Sequence, residues 1–194
     1  MGVDLPGNEA RWYALYTRSR HEKKVELQLL QKGIECYLPL RYTWRQWSDR
    51  RKLIQEPLFR CYVFVYGDER QRLAALQTYG AVRFVSFNGR PAVVREEEIE
   101  NIRRILRERP EAEACEPWVV GEVVEIVRGP LAGIRGTLLE IRGSRRLVVS
   151  IDSIRQGVRF EVDGSDVRSL GSSPASARFV LASAGGIEYR KRVH

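Results

Sequence analysis

The sequence predicts an α+β protein: an N-terminal αβ sandwich built on an antiparallel sheet with three helices, joined by a short linker to a small five-stranded β-barrel. Three observations lead there. Residues 11–110 interleave aromatic, β-branched runs with segments of helical periodicity. Residues 111–117, EAEACEP, are short, acidic and bounded by two prolines, which is linker composition. From 118 to 170, β-branched runs and repeated glycine turns follow one another with no helical period. Residues 1–10 then form an N-terminal extension and residues 171–194, rich in Ser, Ala and Gly, a flexible tail.

Taken in order, RWYALYTR (Arg11 to Arg18) reads as a strand ending at a polar turn. Ser19 and Glu22 have capping-box spacing for a first helix whose apolar stripe is Val25, Leu29 and Leu30 and whose C-terminal cap is Gly33. IECYLPLRYTW returns as an extended segment, and RQWSDRRKLIQ continues it as a long basic hairpin turning near Ser48 and Asp49. EPLFRCYVFV is the next strand. Asp68 starts a second helix with Leu73 and Leu76 facing inward and Gly80 ending it. Asn88-Gly89 sits between two short strands as a hairpin turn. A third helix runs from Glu96 to about Arg109, with Ile99, Ile102, Ile105 and Leu106 on its buried side. In the barrel, VVEIVRG, GTLLEIRG, RRLVVSI, VRFEV and DVRSL are five strands, with Val123, Ile126, Leu138, Ile141, Val149 and Ile151 as core.

Bulk properties narrow the function. No apolar run among the 194 residues approaches the ~20 needed to cross a bilayer, and MGVDLPGNEAR lacks the apolar region of a signal peptide, so the expected location is the cytoplasm, without membrane association. Cys36, Cys61 and Cys115 are widely spaced, giving no disulfide framework. The two histidines, His21 and His194, are far apart, so no metal site is expected. GPLAGIRG lacks the ending of a phosphate loop, and no nucleophile elbow is present. The expectation is a protein that is not an enzyme and needs no cofactor.

The net charge of +8 points to a polyanionic partner. It is concentrated in the first part: residues 1–110 carry +7, whereas residues 111–170 carry −2. Arg18, Arg20, His21 and Lys24 cluster where the first helix starts, a place whose backbone N–H groups also favour anions. In the hairpin, Trp44 and Trp47 lie among Arg45, Arg50, Arg51 and Lys52, a mixture suited to stacking on unpaired bases; for Trp44, a place in the core fits equally well. A second feature is apolar. In the strand EPLFRCYVFV, Tyr62, Phe64 and Tyr66 point one way and Phe59, Cys61, Val63 and Val65 the other, so both faces of the sheet are apolar. If helices cover only one of them, the other awaits a partner.

The succession of RWYALYTRSRHEKKV, PLFRCYVFV and the GPLAGIRG turn resembles the NusG family of transcription elongation factors over residues 11–170. The resemblance implies an NGN domain at 11–110 and a KOW domain, an SH3-like barrel, at 118–170, with Gly129, Gly133 and Gly136 in the KOW turn. It implies binding to the clamp helices of the RNA polymerase β′ subunit through Tyr16, Phe59, Tyr62 and Phe64, with the basic residues on upstream or non-template DNA, and thereby control of pausing and termination. The KOW domain of a monomeric factor would recruit a small-subunit ribosomal protein or Rho. ECYLP followed by the basic hairpin looks closer to the specialised paralogues RfaH, LoaP and UpxY than to housekeeping NusG. Where the family has Pro-Gly this chain has Arg60-Cys61. The rival expectation is a ribosome-associated RNA-binding protein, since KOW barrels occur there as well.

Overall fold

The computed structural model describes residues 9–47, 49–117, 121–141 and 144–172. The expected tail beyond 172, residues 1–8, and the opening of the expected barrel at 118–120 lie outside the described residues. The fold is α+β, with three helices and antiparallel pairing in every sheet.

The first part runs β1 (Arg11–Thr17), α1 (Glu22–Gln31), β2 (Cys36–Tyr37), β3 (Leu40–Gln46), β4 (Arg51–Pro57), β5 (Tyr62–Gly67), α2 (Glu69–Leu76), β6 (Ala81–Phe84), β7 (Ser86–Phe87), β8 (Arg90–Pro91), β9 (Val93–Val94) and α3 (Glu96–Glu108). The central sheet has the order β2-β5-β1-β6, with β9 also pairing β1. β3 and β4 pair only with each other and form a separate ribbon. β7 and β8 enclose Asn88 and Gly89, which take φ of 49° and 76°, the two positive values that the expected turn requires.

Strand alternation sorts β1 and β5 into two faces, but Phe59, expected opposite Phe64, lies in the turn before β5 and packs on the same side as Phe64. Tyr13, Leu15, Val63 and Val65 pack with Val25 and Leu29 of α1 and Ala75 of α2. Trp12, Ala14 and Phe64 pack with Ile99, Ile102 and Ile105 of α3, and the Arg103 guanidinium of α3 lies 5.4 Å from the Trp12 ring and 5.0 Å from that of Tyr37. The expectation of an uncovered apolar face is therefore overturned: α1 and α2 cover one face and α3 covers the other. Phe59 and Phe64 have 0% exposure.

Two helix details also depart from expectation. The capping box of Ser19 and Glu22 does not form; His21 is the N-cap without a side-chain capping bond, and Glu22 is buried, accepting a hydrogen bond from the Cys61 N–H at 2.8 Å. Leu30, Leu73 and Leu76 face solvent, Leu73 being 57% exposed. On α2 the inward contact is Ala75, whose small side chain lets this short helix lie close to the sheet, while the Arg72 guanidinium stacks 4.7 Å from the Tyr13 ring.

The second part runs β10 (Glu113–Cys115), β11 (Glu122–Ile126), β12 (Arg135–Ile141), β13 (Ser144–Ile151), a 3-10 turn (Asp152–Ile154), β14 (Gln156–Glu161), another (Gly164–Asp166) and β15 (Val167–Ser172). The five expected strands are all present, and β10 adds a sixth. Their order is β10-β14-β13-β12-β11-β15, so β10 and β15 are the two ends of the hydrogen-bonded path. Val124, Ile126, Leu147, Val149, Ile151, Val158 and Phe160 fill the interior. Val124, not Val123, points inward, because strand alternation puts Val124 on the same side as the buried Ile126. Of the three expected turn glycines, Gly129 and Gly133 have φ of 75° and 86° and sit in the turn. Gly136 lies in β12; a β-carbon there would come within 2.4 Å of the Val148 carbonyl oxygen, so it serves strand approach.

The two parts share one continuous apolar cluster, from Trp12 and Ile102 through Ala112 to Val124 and Phe160. Polar contacts ring it. Arg104 of α3 donates to the Pro130 and Ala132 carbonyls, both at 2.8 Å, and the Asp152 N–H donates to Glu98 Oε1 at 3.4 Å.

Candidate functional site

Two sites were expected in the first part, one aromatic and one basic. The aromatic one begins at the register of β1 against β5, which sets Tyr16 opposite Tyr62 and Ala14 opposite Phe64. The Tyr16 and Tyr62 rings meet edge to face at 5.5 Å, and the Arg83 guanidinium of β6 lies 5.6 Å from the Tyr16 ring. Phe59 meets Phe64 at 6.1 Å, edge to face, and Tyr37 stacks on Phe64 at 6.4 Å. Tyr16 and Tyr62 are half-buried, so they offer the surface; Phe59 and Phe64 form its floor and touch no solvent. Burial raises the Tyr62 phenol above its ordinary range.

Local backbone geometry holds this end of the sheet. Cys61 has φ of 64°, the left-handed region where the family pattern carries glycine. Its N–H is fixed by Glu22, and its carbonyl accepts from the Thr17 N–H at 2.8 Å. The turn after Phe59 is thus tied to both α1 and β1, and the departure Arg60-Cys61 keeps the backbone form that a glycine would take.

The basic residues separate into three groups. Arg18, His21 and Lys24 gather around Tyr79, with the Arg18 guanidinium at 5.6 Å, the Lys24 ammonium at 4.8 Å and the His21 ring at 5.7 Å from the tyrosine ring. Tyr79 is 57% exposed. It escaped the sequence reading because no periodicity marks it; only the adjacency of β6 to β1 brings it beside Arg18. Arg20 points elsewhere. With Ser19, Lys23, Arg45 and Arg60 it lines a cavity of about 430 Å³ between α1 and the β3–β4 ribbon, which Glu22 and Glu56 also border. Lys23 closes one side by donating to the Gln55 carbonyl at 2.9 Å. Lys23 and Arg60 were not expected here.

The third group is the ribbon itself. Arg45 is ion-paired to Glu56 at 2.9 Å, and Arg41 binds the same carboxylate at 2.8 Å. Burial would push the Glu56 carboxyl up, but the hydrogen bonds from Arg41 and Arg45 outweigh it and hold it below the usual carboxylate range. Arg51 stacks 5.9 Å from the Trp44 ring, and Arg50 lies 3.9 Å from Asp49. Trp44 is 60% exposed, which excludes the core placement for it; Trp47 and Lys52 are exposed as well.

Among the described residues no cluster of His, Cys, Asp and Glu could hold a metal ion, and no helix is long and apolar enough to cross a membrane. Burial raises the thiols of Cys36, to about 11, and of Cys115, the direction opposite to nucleophilic activation.

Known proteins agree with this architecture. A family model described as "Transcription termination factor nusG" matches residues 10–103. The transcription termination/antitermination protein NusG of Rickettsia conorii is 24% identical, covering 83% of this chain and 91% of its own. That of Thermus thermophilus is 26% identical, covering 72% and 89%. A solved structure titled "Domain interaction in Thermotoga maritima NusG" superposes with a TM-score of 0.53 at 25% identity, covering 84% of this chain and 98% of that one. Family model, relatives and fold converge on a transcription factor and not an enzyme: residues 10–103 match the NusG family, and over most of its length the chain is similar to NusG termination and antitermination proteins.

Proposed function

We propose that the protein binds RNA polymerase at the clamp helices of the β′ subunit through Tyr16 and Tyr62, and that it modulates pausing and termination during elongation. The observation that carries this reading is the half-exposed Tyr16–Tyr62 pair, seated on the buried Phe59 and Phe64 at one end of the central sheet. Two aromatic rings held rigid by a packed floor lose little entropy on binding and suit the apolar side of a helix laid against them. The site is narrower than the four-residue surface first expected. Phe59 and Phe64 contribute shape and stiffness, and contact belongs to the tyrosines.

The basic groups extend the same reading. The ring of Tyr79 among Arg18, His21 and Lys24, and the cavity lined by Arg20, Lys23, Arg45 and Arg60, would follow the backbone of upstream or non-template DNA. Such contacts add a salt-sensitive, sequence-independent increment to affinity. The barrel at 118–170 is the recruiting module, with a small-subunit ribosomal protein or Rho as its partner, and 11–110 is the polymerase-binding module.

A pull-down with the isolated clamp-helix fragment tests the central claim. Tyr16→Ala with Tyr62→Ala should weaken capture by roughly 2 kcal/mol or more, the size of a hot-spot loss. This double variant should unfold near the wild-type midpoint, since neither side chain is fully buried. Phe64→Ala should instead cost about 3–5 kcal/mol of folding stability, as a buried phenylalanine does. Undiminished capture by the double tyrosine variant would end the proposal.

A further inference from the structure

The cavity of about 430 Å³ beside α1 has the size of a small-molecule site, and its lining is cationic: Arg20, Lys23, Arg45 and Arg60 against two carboxylates, Glu22 and Glu56. Both carboxylates are already engaged. Glu22 accepts from the Cys61 N–H, and Glu56 holds Arg41 and Arg45. Arg20, Lys23 and Arg60 have no carboxylate partner among the described residues, and all three are exposed. The walls around them are fixed. Lys23 ties α1 to the Gln55 carbonyl, and the bond from Cys61 to Glu22 ties the turn carrying Arg60 to the same helix. Arg20 has φ of 62° and Cys61, next to Arg60, has φ of 64°, so costly left-handed backbone stands on both sides of the cavity. Strained backbone held in place by its surroundings is a recurrent feature of ligand clamps.

We propose that this cavity binds the diphosphate or triphosphate group of a small molecule, supplied either by a nucleoside polyphosphate or by free pyrophosphate. The proposal rests on the reading of the cavity as an anion site and names the anion. Charge density supports it. A nucleic-acid backbone carries one charge per phosphate, spaced along the strand, and suits a rim, whereas a phosphate chain brings several charges into one concavity. Donor chemistry supports it too. A guanidinium meets phosphate oxygens with paired N–H groups, two of the three cations without a carboxylate partner are arginines, and Ser19 adds a hydroxyl. A carboxylate ligand would bring less charge to a lining that already contains Glu22 and Glu56. None of the described residues lining the cavity is aromatic and only Pro57 is apolar, so recognition stops at the phosphates and a nucleoside's base stays outside. Once occupied, the cavity has no cation left for a DNA backbone, and the two ligands compete.

The test is calorimetric titration of the full chain with pyrophosphate, orthophosphate and ADP, with no polymerase present, and displacement of a labelled oligodeoxythymidine that lacks a terminal phosphate. Pyrophosphate and ADP should bind within about threefold of each other and about tenfold or more tighter than orthophosphate, because the added charge is read and the base is not. Arg20→Ala and Arg60→Ala should each weaken pyrophosphate about fivefold, the worth of one screened charge pair, and neither exposed side chain is needed for folding. Arg135→Ala, which removes the same charge from the exposed side of the barrel, should change binding by less than about twofold. Pyrophosphate should displace the oligonucleotide from the wild type. Absence of saturable pyrophosphate binding, orthophosphate bound as tightly, ADP bound without pyrophosphate, or equal weakening by Arg135→Ala would overturn the proposal. Oligonucleotide binding that is lost in Arg20→Ala but indifferent to pyrophosphate would overturn it while leaving the DNA reading of the cavity intact. Failure of the polymerase reading is separate: Arg60→Ala should still be captured by the clamp-helix fragment, and the tyrosine double variant should still bind pyrophosphate.

Discussion

Cys61 shows how one residue can hold a site in shape at a local cost. A left-handed conformation costs a side-chain-bearing residue about 1–2 kcal/mol, and here two hydrogen bonds, to Glu22 and Thr17, keep it there. Glycine would remove that strain while adding freedom to the unfolded chain, which offsets part of the gain. Cys61→Gly should therefore stabilise the protein by about 0.5–1 kcal/mol, read as a shift of the denaturant midpoint at unchanged slope. A loss of stability would mean that the thiol's own contacts outweigh the strain. Glu22 belongs to the same device. It is buried, and Glu22→Ala would leave the Cys61 N–H without its acceptor at a cost of about 1–3 kcal/mol.

At the level of elements, the ribbon depends on one carboxylate. Glu56 is held below its ordinary pKa, so the unfolded chain takes up its proton more readily than the folded one does. Its contribution is complete above the ordinary glutamate value near 4.3 and is lost as pH falls through the lower folded value. Amide protection factors in 41–46 and 51–56, corrected for the intrinsic pH dependence of exchange, should thus fall in acid before those of the central sheet, and Glu56→Gln should remove that pH dependence at a cost of about 0.5–1 kcal/mol. Ribbon protection factors that stay constant from neutral pH into acid would refute this role. The ribbon was legible in the sequence, as were the Asn88-Gly89 turn and all five barrel strands, because each follows from alternation and turn chemistry within a few residues. The position of α3 was not. A stripe of Ile99, Ile102 and Ile105 reveals that a helix buries one side, but nothing in that stripe says which face of which sheet it will meet. For the same reason Tyr79 stayed hidden until β6 lay beside β1, and Leu73 looked inward until Ala75 proved to be the closer contact.

Across the whole molecule, the seam between the two parts is where packing and function compete. α3 presents Ile102 and Ile105 to the cluster that also contains Trp12 and Phe64, while Glu98 and Arg104 reach the second part from the same helix. The Arg104 guanidinium is joined to the carbonyls of Pro130 and Ala132, inside the turn that carries Gly129 and Gly133. That turn is therefore steadied by a neighbour as well as by its own glycines. Interfaces between the parts of one chain generally open more readily than cores unfold, since they are smaller and more polar. Arg104→Ala removes both hydrogen bonds, at a partly exposed position, and should weaken the seam by about 1–1.5 kcal/mol, or roughly tenfold in the open population. Hydrogen exchange should accordingly rise about tenfold at 129–134 and along α3, with the interior of β13, at Leu147 and Val149, unchanged. If protection fell equally in β13, the substitution would be unfolding the second part instead of releasing it; if protection at 129–134 stayed the same, the apolar cluster alone would be holding the seam shut.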